Sequence, residues 1–236
     1  MVISWFSCGI ASAMATELAL KKYSDVLIIY IHNDSESTDN WRFLRECEKR
    51  WHHHITCFSS PMYKSHWDVI NDQRCINTPW GAPCTKYLKK KVRYMIEDNL
   101  EWDAQILGYD ITEQKRAQRF AEQYPATKAE FPLIEAELSK TDVMTLWMKT
   151  NIEPPLMYRL GFHNNNCIGC VKGGKGYWAL IRKHYPDVFD RMVRLEDEIG
   201  HTCIRGFRLA DLPTDYPTTS PIIPSCSLFC DPDFMN

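Results

Sequence analysis

The sequence predicts an α/β protein built on a doubly wound parallel sheet. Two mostly apolar runs, Val2–Phe6 and Val26–Ile31, have the length of strands covered on both faces. Each run is followed by a segment with helical spacing, so strands and helices alternate along the chain. Because the crossovers of such sheets are right-handed, we expect a ligand to bind at the carboxyl ends of the strands.

The remaining elements follow from the same patterns. Further strands are predicted at Ile55–Phe58, Ala104–Leu107 and Lys128–Leu133. Helices are predicted at Ala11–Lys21, after a cap at Asp39, at Lys86–Asn99, from an Asp110–Glu113 capping box to Gln123, and at Ser139–Thr150, Tyr177–His184 and Asp187–Ile199.

The length of 236 residues fits one domain with an appended module. Residues 1–150 are predicted to form a nucleotide-binding α/β domain. Residues 151–236 should add a Cys-rich helical extension and a tail, both packed on the same domain. Five of the 13 prolines lie after Gly200, which predicts an extended tail.

The composition excludes several classes of protein. Apolar residues make up 44% and charged residues 25%, and the net charge is only −2, so wholesale disorder and a strongly basic nucleic-acid-coating protein are excluded. No apolar run reaches the roughly 18 residues of a membrane span, and no secretory signal pattern is found. The chain is therefore expected to be a cytoplasmic protein without a membrane partner.

Two small-residue loops are candidate anion sites. Ser7, Cys8, Gly9 and Ser12 lie between the first strand and its helix, where backbone amides can approach a phosphate. The alternative is a tight turn that needs small residues for packing alone. A second loop of Lys172, Gly173, Gly174 and Lys175 offers amides and positive charge, and its alternative is a flexible surface loop.

Ten cysteines are too few for a disulfide scaffold of this length, but their spacing suggests metal binding. Cys167 and Cys170 form a CxxC pair, which can chelate one metal or two corners of a cluster. Cys75 and Cys84 would complete a set of four thiolates. Such a set suits tetrahedral zinc or an iron–sulfur cluster.

Six motifs lie in a characteristic order along the chain: Trp5–Ser12, Pro83–Lys89, Gly108 with Glu113, Pro132-Leu133, Tyr158–Gly161 and Asn165–Gly174. Together they resemble the phosphoadenosine phosphosulfate reductase-like branch of the adenine-nucleotide alpha-hydrolase superfamily, also called the PP-loop superfamily, and in particular its phage-encoded members. The resemblance implies a nucleotide-binding α/β fold that acts on an activated sulfur species.

The chain also departs from that family's patterns. Cys8 and Ala11 replace a glycine and an aspartate of the usual Ser-Gly-Gly-x-Asp-Ser loop, and the aspartate is needed by members that cleave ATP. Asp110 replaces the arginine of a Gly-x-Arg motif that starts at Gly108. The resemblance still assigns nucleotide contacts to Gly108 and to Asp34, which follows the second strand.

The resemblance further implies a reductase that releases sulfite from an adenine sulfonucleotide. Related enzymes carry a [4Fe-4S] cluster on an adjacent Cys-Cys pair and a later Cys-x-x-Cys, and Cys84, Cys167 and Cys170 match three of these positions. Pro83 replaces the first cysteine of the adjacent pair, and we infer that Cys75 supplies the fourth ligand in its place. A cysteine on the tail, here Cys226, would attack the sulfur, with Cys230 as a resolving thiol or metal ligand, and a thioredoxin-like donor would release the sulfite.

Two other functions stay open at the level of sequence. One is an iron–sulfur-dependent sulfurtransferase that thiolates nucleic acid or a metabolite, the only reading in which nucleic acid is a partner. The other is a non-catalytic nucleotide-binding protein with a structural metal site, and zinc is the alternative metal. The pattern leaves the oligomeric state open, including a homo-oligomer.

Overall fold

The computed structural model describes residues 1–78 and 81–218. Its centre is a five-stranded parallel sheet in the order β3-β2-β1-β4-β5, flanked by helices, so the predicted doubly wound α/β class is confirmed. The strands are β1 (Val2–Phe6), β2 (Val26–His32), β3 (Ile55–Ser59), β4 (Ala104–Ile106) and β5 (Ala129–Glu130).

The central strand β1 creates the switch point of the sheet. Val2 is in register with Val26 of β2 on one side and with Ala104 of β4 on the other. The chain first builds outward from β1 through β2 and β3, then returns to add β4 and β5 on the opposite side. In open α/β sheets a crevice for ligands forms where the order reverses, here at the carboxyl ends of β1 and β4.

The helices alternate with the strands and then dominate the last third of the described chain. A π-helical turn, Lys86–Lys90, lies within the helical segment that runs from Pro83 to Glu97. Short 3₁₀ turns lie at Ile111–Glu113, Pro125–Thr127 and Leu209–Asp211. The α-helices are α1 (Ile10–Lys22), α2 (Asn40–Trp51), α3 (His66–Gln73), α4 (Pro83–Thr85), α5 (Lys91–Glu97), α6 (Gln114–Gln123), α7 (Pro132–Glu135), α8 (Lys140–Met148), α9 (Leu156–Arg159), α10 (Lys175–His184) and α11 (Pro186–Ile199).

The described residues form two compact units. The sequence predicted a division at residue 150, and the last change of unit along the chain lies between Pro155 and Leu156. Almost the whole sheet belongs to the first unit. That unit comprises Met1–His32, Thr38–Phe58 and Tyr94–Pro155, and the second comprises Asn33–Ser37, Ser59–Arg93 and the chain from Leu156 on.

Each unit has its own apolar core. In the first unit, the Phe6 ring of β1 stacks on Phe43 of α2, with ring centroids 6.0 Å apart, and Phe43 also contacts Trp147 of α8. In the second unit, α10 and α11 pack around Trp178, which is fully buried. No helix in the described ranges is long and apolar enough to cross a lipid bilayer.

The predicted helix Lys86–Asn99 differs from the observed one. The helical segment begins at Pro83, whose fixed φ suits a first helical position, and ends at Glu97. Leu88, Val92 and Ile96 are buried as predicted, but Met95 is 53% exposed. The buried positions recur at a spacing of four, and Met95 lies beside this stripe on the exposed face of α5.

Three local predictions at element ends were wrong. Asp39 has helical backbone angles and its side chain binds Arg42 instead of capping α2. Asp110 does cap, by accepting from the Thr112 amide, but Glu113 pairs with Arg116 and completes no capping box. The strand predicted to end at Leu133 stops at Glu130, because Pro132 starts α7.

A buried carboxylate ties α1 to α2 in the first unit and predicts acid sensitivity. Both oxygens of Glu17 accept from Arg50, at 2.9 Å each, which is the main cause that lowers the pKa of Glu17 from 4.5 to about 2. The ionised carboxylate therefore contributes its full stability above pH 4.5, and this contribution is lost as the pH falls toward 2.

We expect Glu17→Gln to lower the free energy of unfolding by roughly 1–3 kcal/mol at pH 7. Urea denaturation at several pH values measures this, and the difference from the wild type should vanish below the native pKa. Glu46→Gln, at a 40% exposed partner of Arg42, is the matched control and should cost less than about 1 kcal/mol. Equal stability of Glu17→Gln and wild type at pH 7 would contradict the assignment.

Candidate functional site

The loop after β1 is held in shape by the hydroxyl groups of two serines. The Ser7 amide and hydroxyl both donate to the Ser12 hydroxyl oxygen at 3.0 Å, and the Ser12 hydroxyl donates to the Gly9 carbonyl at 2.9 Å. Gly9 is the N-cap of α1 and has no side chain with which to accept from the first amides of the helix. The loop thus presents the amino end of a 13-residue helix at the carboxyl end of a strand, a place that favours an anion.

Cys8 contributes to this loop through its backbone. Its side chain is fully buried, and its thiol donates to the Asn40 carbonyl at 3.7 Å. Its φ of +55° lies in the left-handed region, where glycine is the favoured residue. The predicted nucleotide contact at Cys8 can therefore involve only the peptide groups.

Gly108 brings the end of β4 against the first turn of α1. A Cβ atom added at Gly108 would lie 2.7 Å from both the Cα and the amide nitrogen of Ser12, and 2.9 Å from the carbonyl carbon of Ala11. All three neighbours are backbone atoms that cannot rotate away. The absence of a side chain at Gly108 therefore sets the spacing between the end of β4 and the first turn of α1.

Gly108→Ala should destabilise the first unit and displace the amino end of α1. We expect a loss of roughly 1–3 kcal/mol in the free energy of unfolding, measured by urea denaturation. Gly174→Ala is the control, because a Cβ atom there meets nothing within 4 Å, and as an N-cap change it should cost less than about 1 kcal/mol. Equal losses in the two variants would refute the steric role of Gly108.

Three of the four predicted metal-binding cysteines line one pocket in the second unit. The pocket has a volume of about 330 Å³, counting the space open to solvent. Cys75 is not in its wall; the Cys75 thiol points to the Asn77 carbonyl at 4.0 Å, and burial raises its pKa. The wall consists of Cys84, Cys167 and Cys170 together with Asn33, His66, Thr85, Leu88, Lys89 and Val171.

The thiols surround this pocket without forming a closed ligand set. Among the described residues, no three His, Cys, Asp or Glu side chains lie close enough together to hold a metal ion, and the cysteines there form no disulfide. The chemistry of the three thiols nevertheless suits a soft metal or an iron–sulfur cluster. Binding of either would require the side chains to rotate toward one another.

Tyr177 of α10 fixes the turn that carries the CxxC pair. Its hydroxyl donates to the Cys167 carbonyl at 2.6 Å and accepts from the Gly169 and Cys170 amides at 2.9 and 2.8 Å. Gly169 has a φ of +83°, and a Cβ there would lie 2.8 Å from Val188. A buried phenol and a glycine thus hold the backbone between the two cysteines in one conformation.

A polar network surrounds the sulfur of Cys167. The Asn33 amide nitrogen and oxygen lie 3.6 and 3.7 Å from it, and the same nitrogen donates to Glu36 at 3.1 Å. Glu36 also binds the Lys89 ammonium at 2.6 Å, and both side chains of this ion pair are mostly buried, with exposures of 11% and 14%. The network places a positive charge in the wall of the thiol pocket.

The predicted lysine loop is packed in the second unit. Lys172 is 8% exposed, and a Cβ atom at Gly173 would lie 2.0 Å from the Tyr177 ring. Gly174 is the N-cap of α10, and the Lys175 ammonium lies 3.6 Å from the centroid of the Phe207 ring. This loop follows the CxxC turn directly and shares its anchor on α10.

The other predicted site residues lie elsewhere. Asp34 is exposed in the second unit, and its backbone amide donates to the Lys64 carbonyl at 2.8 Å. The Ser7–Ser12 loop and Gly108 belong to the first unit. Cys226 and Cys230, the predicted nucleophile and its partner, lie outside the described residues.

The sequence patterns missed His66 in the pocket wall and Tyr177, which anchors the CxxC turn. His66 was not singled out, although Ser65 and Asp68 form a capping box that marks the start of its helix, α3. Tyr177 was assigned to a helix without a role, because only the folded chain shows its hydroxyl under the CxxC turn.

The comparisons with known proteins give no family name. No protein-family model matches the chain. The chain is 23% identical over 221 residues to the uncharacterized protein MJ0973 of Methanocaldococcus jannaschii. That match covers 88% of this chain and 51% of the relative, so the chain spans about half the length of the protein it matches.

Proposed function

We propose that the protein is a sulfonucleotide reductase-like enzyme, which takes phosphoadenosine phosphosulfate or adenosine phosphosulfate and releases sulfite. The observation that carries the proposal is a pocket in which Cys84 lies with Cys167 and Cys170, although the CxxC pair is more than 80 residues away from Cys84 along the chain. The uncapped amino end of α1 at the switch point of the sheet supports binding of an anionic nucleotide in the first unit.

In the proposed reaction, the thiolate of Cys226 attacks the sulfur of the sulfonucleotide. An S–S bond forms while the bond between sulfur and the phosphate oxygen breaks, and an adenosine phosphate leaves with that electron pair. The enzyme then carries an S-sulfonate on Cys226. A thioredoxin-like dithiol attacks the cysteine sulfur, which releases sulfite and leaves a mixed disulfide for the donor's second thiol to reduce.

The thiol pocket is the proposed place of a [4Fe-4S] cluster. When bound, such a cluster would supply electron transfer or electrostatic polarisation there. The chain's own contribution is a rigid CxxC turn under Tyr177 and the Lys89–Glu36 pair beside it. The nucleotide's charge would be met by the backbone amides of the Ser7–Ser12 loop.

Sulfite release tests the proposal. The wild type, supplied anaerobically with either sulfonucleotide, thioredoxin and a reductant, should form sulfite and an adenosine phosphate in equal amounts. Cys226→Ser should lower the rate by roughly a thousandfold or more, since the nucleophile is removed. Cys57→Ser, at an exposed cysteine, is the matched control and should keep the wild-type rate.

Parallel assays, one of them supplied with ATP and a polynucleotide, separate the alternatives. Conversion of ATP to AMP with thiolation of a polynucleotide would support a sulfurtransferase instead. Nucleotide binding without any turnover would support a non-catalytic protein. Wild-type sulfite release by Cys226→Ser would remove that residue from the mechanism.

A further inference from the structure

His66 is a buried polar side chain in the wall of the thiol pocket. It is 2% exposed, and among the described residues neither of its ring nitrogens has a hydrogen-bond partner. Its backbone is fixed by a 2.9 Å bond from its amide to the Ser35 hydroxyl, and its ring packs on Trp67 at 4.1 Å. An unpartnered buried polar group destabilises the folded chain, and a bound ligand would remove that cost.

The position of the imidazole makes it available to a ligand in the pocket. His66 lines the same pocket as the thiols of Cys84, Cys167 and Cys170. A neutral imidazole has one nitrogen lone pair and is the commonest metal ligand in proteins. His66 therefore offers the pocket a nitrogen donor.

We propose that His66 is the fourth ligand of the metal centre in this pocket, together with Cys84, Cys167 and Cys170. The proposal rests on the metal centre of the proposed function and assigns its ligands. In this set His66 takes the place that the sequence predicted for Cys75, whose thiol lies outside the pocket wall and points to the Asn77 carbonyl. Three thiolates and one imidazole form a ligand set that both zinc and iron–sulfur centres accept.

The anchors of the four side chains determine what must move when the metal binds. The CxxC turn is held by Tyr177 and cannot shift without breaking three buried hydrogen bonds. Cys84 lies in the three-residue helix α4, and no hydrogen bond in the described structure fixes the His66 ring nitrogens. The metal would therefore gather Cys84 and His66 toward the fixed pair, and each thiol that binds would lose its proton.

Metal retention by matched variants tests the ligand set. Each protein is reconstituted anaerobically with ferrous iron and sulfide, or separately with zinc, then desalted and analysed for metal per chain. We expect Cys75→Ser to retain the wild-type amount. His66→Leu should hold the metal at least roughly tenfold more weakly, because loss of a direct ligand should cost no less than loss of an outer-shell partner. His66→Cys should restore retention, because it supplies another thiolate.

A spectroscopic readout covers the case in which His66→Leu fails to fold. Pulsed electron paramagnetic resonance of the reduced iron–sulfur form should detect a coupled imidazole nitrogen in the wild type and none in His66→Cys. Full metal retention by His66→Leu, no nitrogen coupling in the wild type, or no uptake of either metal would each overturn the proposal.

The outcomes distinguish this inference from the proposed function. Sulfite release by a wild type that binds no metal would refute the ligand set and leave the reductase intact. Metal bound through His66 without sulfite release would keep the ligand set and refute the reductase.

Discussion

Tyr177→Phe is expected to be among the most destabilising single substitutions in the second unit. The phenol oxygen is buried and makes three hydrogen bonds to the backbone of the CxxC turn. Phenylalanine preserves the ring but leaves the Gly169 and Cys170 amides and the Cys167 carbonyl without this partner. Because unpaired buried backbone groups are costly, we expect a loss of roughly 2–5 kcal/mol in the free energy of unfolding.

Urea denaturation measures this loss, and metal retention gives a second readout. Tyr63→Phe is the matched control, since it removes a hydroxyl that bonds exposed Asp72 and Gln73, and it should cost less than about 1 kcal/mol. A Tyr177→Phe protein as stable as the control, with an unchanged metal content, would show that the CxxC turn does not depend on the phenol.

Glu36→Gln should produce the second large effect. It leaves the Lys89 ammonium in a mostly buried position opposite a neutral amide. Removal of one partner of a buried ion pair costs about 3–5 kcal/mol, and we expect a value at the lower end because both side chains keep some contact with solvent. The change also weakens the Asn33 contact that positions the amide beside the Cys167 sulfur.

A double mutant separates the charge effect from general damage. Glu36→Gln combined with Lys89→Met removes both charges and should be more stable than Glu36→Gln alone. Asp197→Asn, which breaks an ion pair with Arg208 that is more than half exposed, should cost less than about 1 kcal/mol. If the double mutant is less stable than Glu36→Gln, the charge of Lys89 is not what makes the single change costly.

The centre of the sheet could be predicted because β1 and β2 are almost completely buried. Both are nearly continuous apolar runs of strand length, which is typical of a parallel strand covered on both faces. The ends of elements were harder, since they depend on single contacts. Asp39 shows this: its side chain had the right type for a cap, but Arg42 is a closer partner once the backbone turns helical.

The candidate site was predictable only where spacing carries chemistry. Cys167 and Cys170 are three apart, and that separation indicates a chelating pair without any knowledge of the fold. Cys84 could be added to the predicted ligand set because it lies in Pro83–Lys89, one of the motifs that resemble the reductase-like family. His66 could not, because an isolated histidine before a tryptophan has no chemical signature; its burial and its missing hydrogen bonds exist only in the folded chain.

We propose that this chain transfers a sulfonate group from a sulfonucleotide to its own cysteine. The most direct measurement is mass spectrometry of the protein after a single anaerobic exposure to phosphoadenosine phosphosulfate, with no thiol donor present. The account predicts one added sulfonate on the peptide that contains Cys226 and one equivalent of released adenosine phosphate. An unmodified protein with intact nucleotide, measured on a fully reduced and metal-loaded sample, would contradict it.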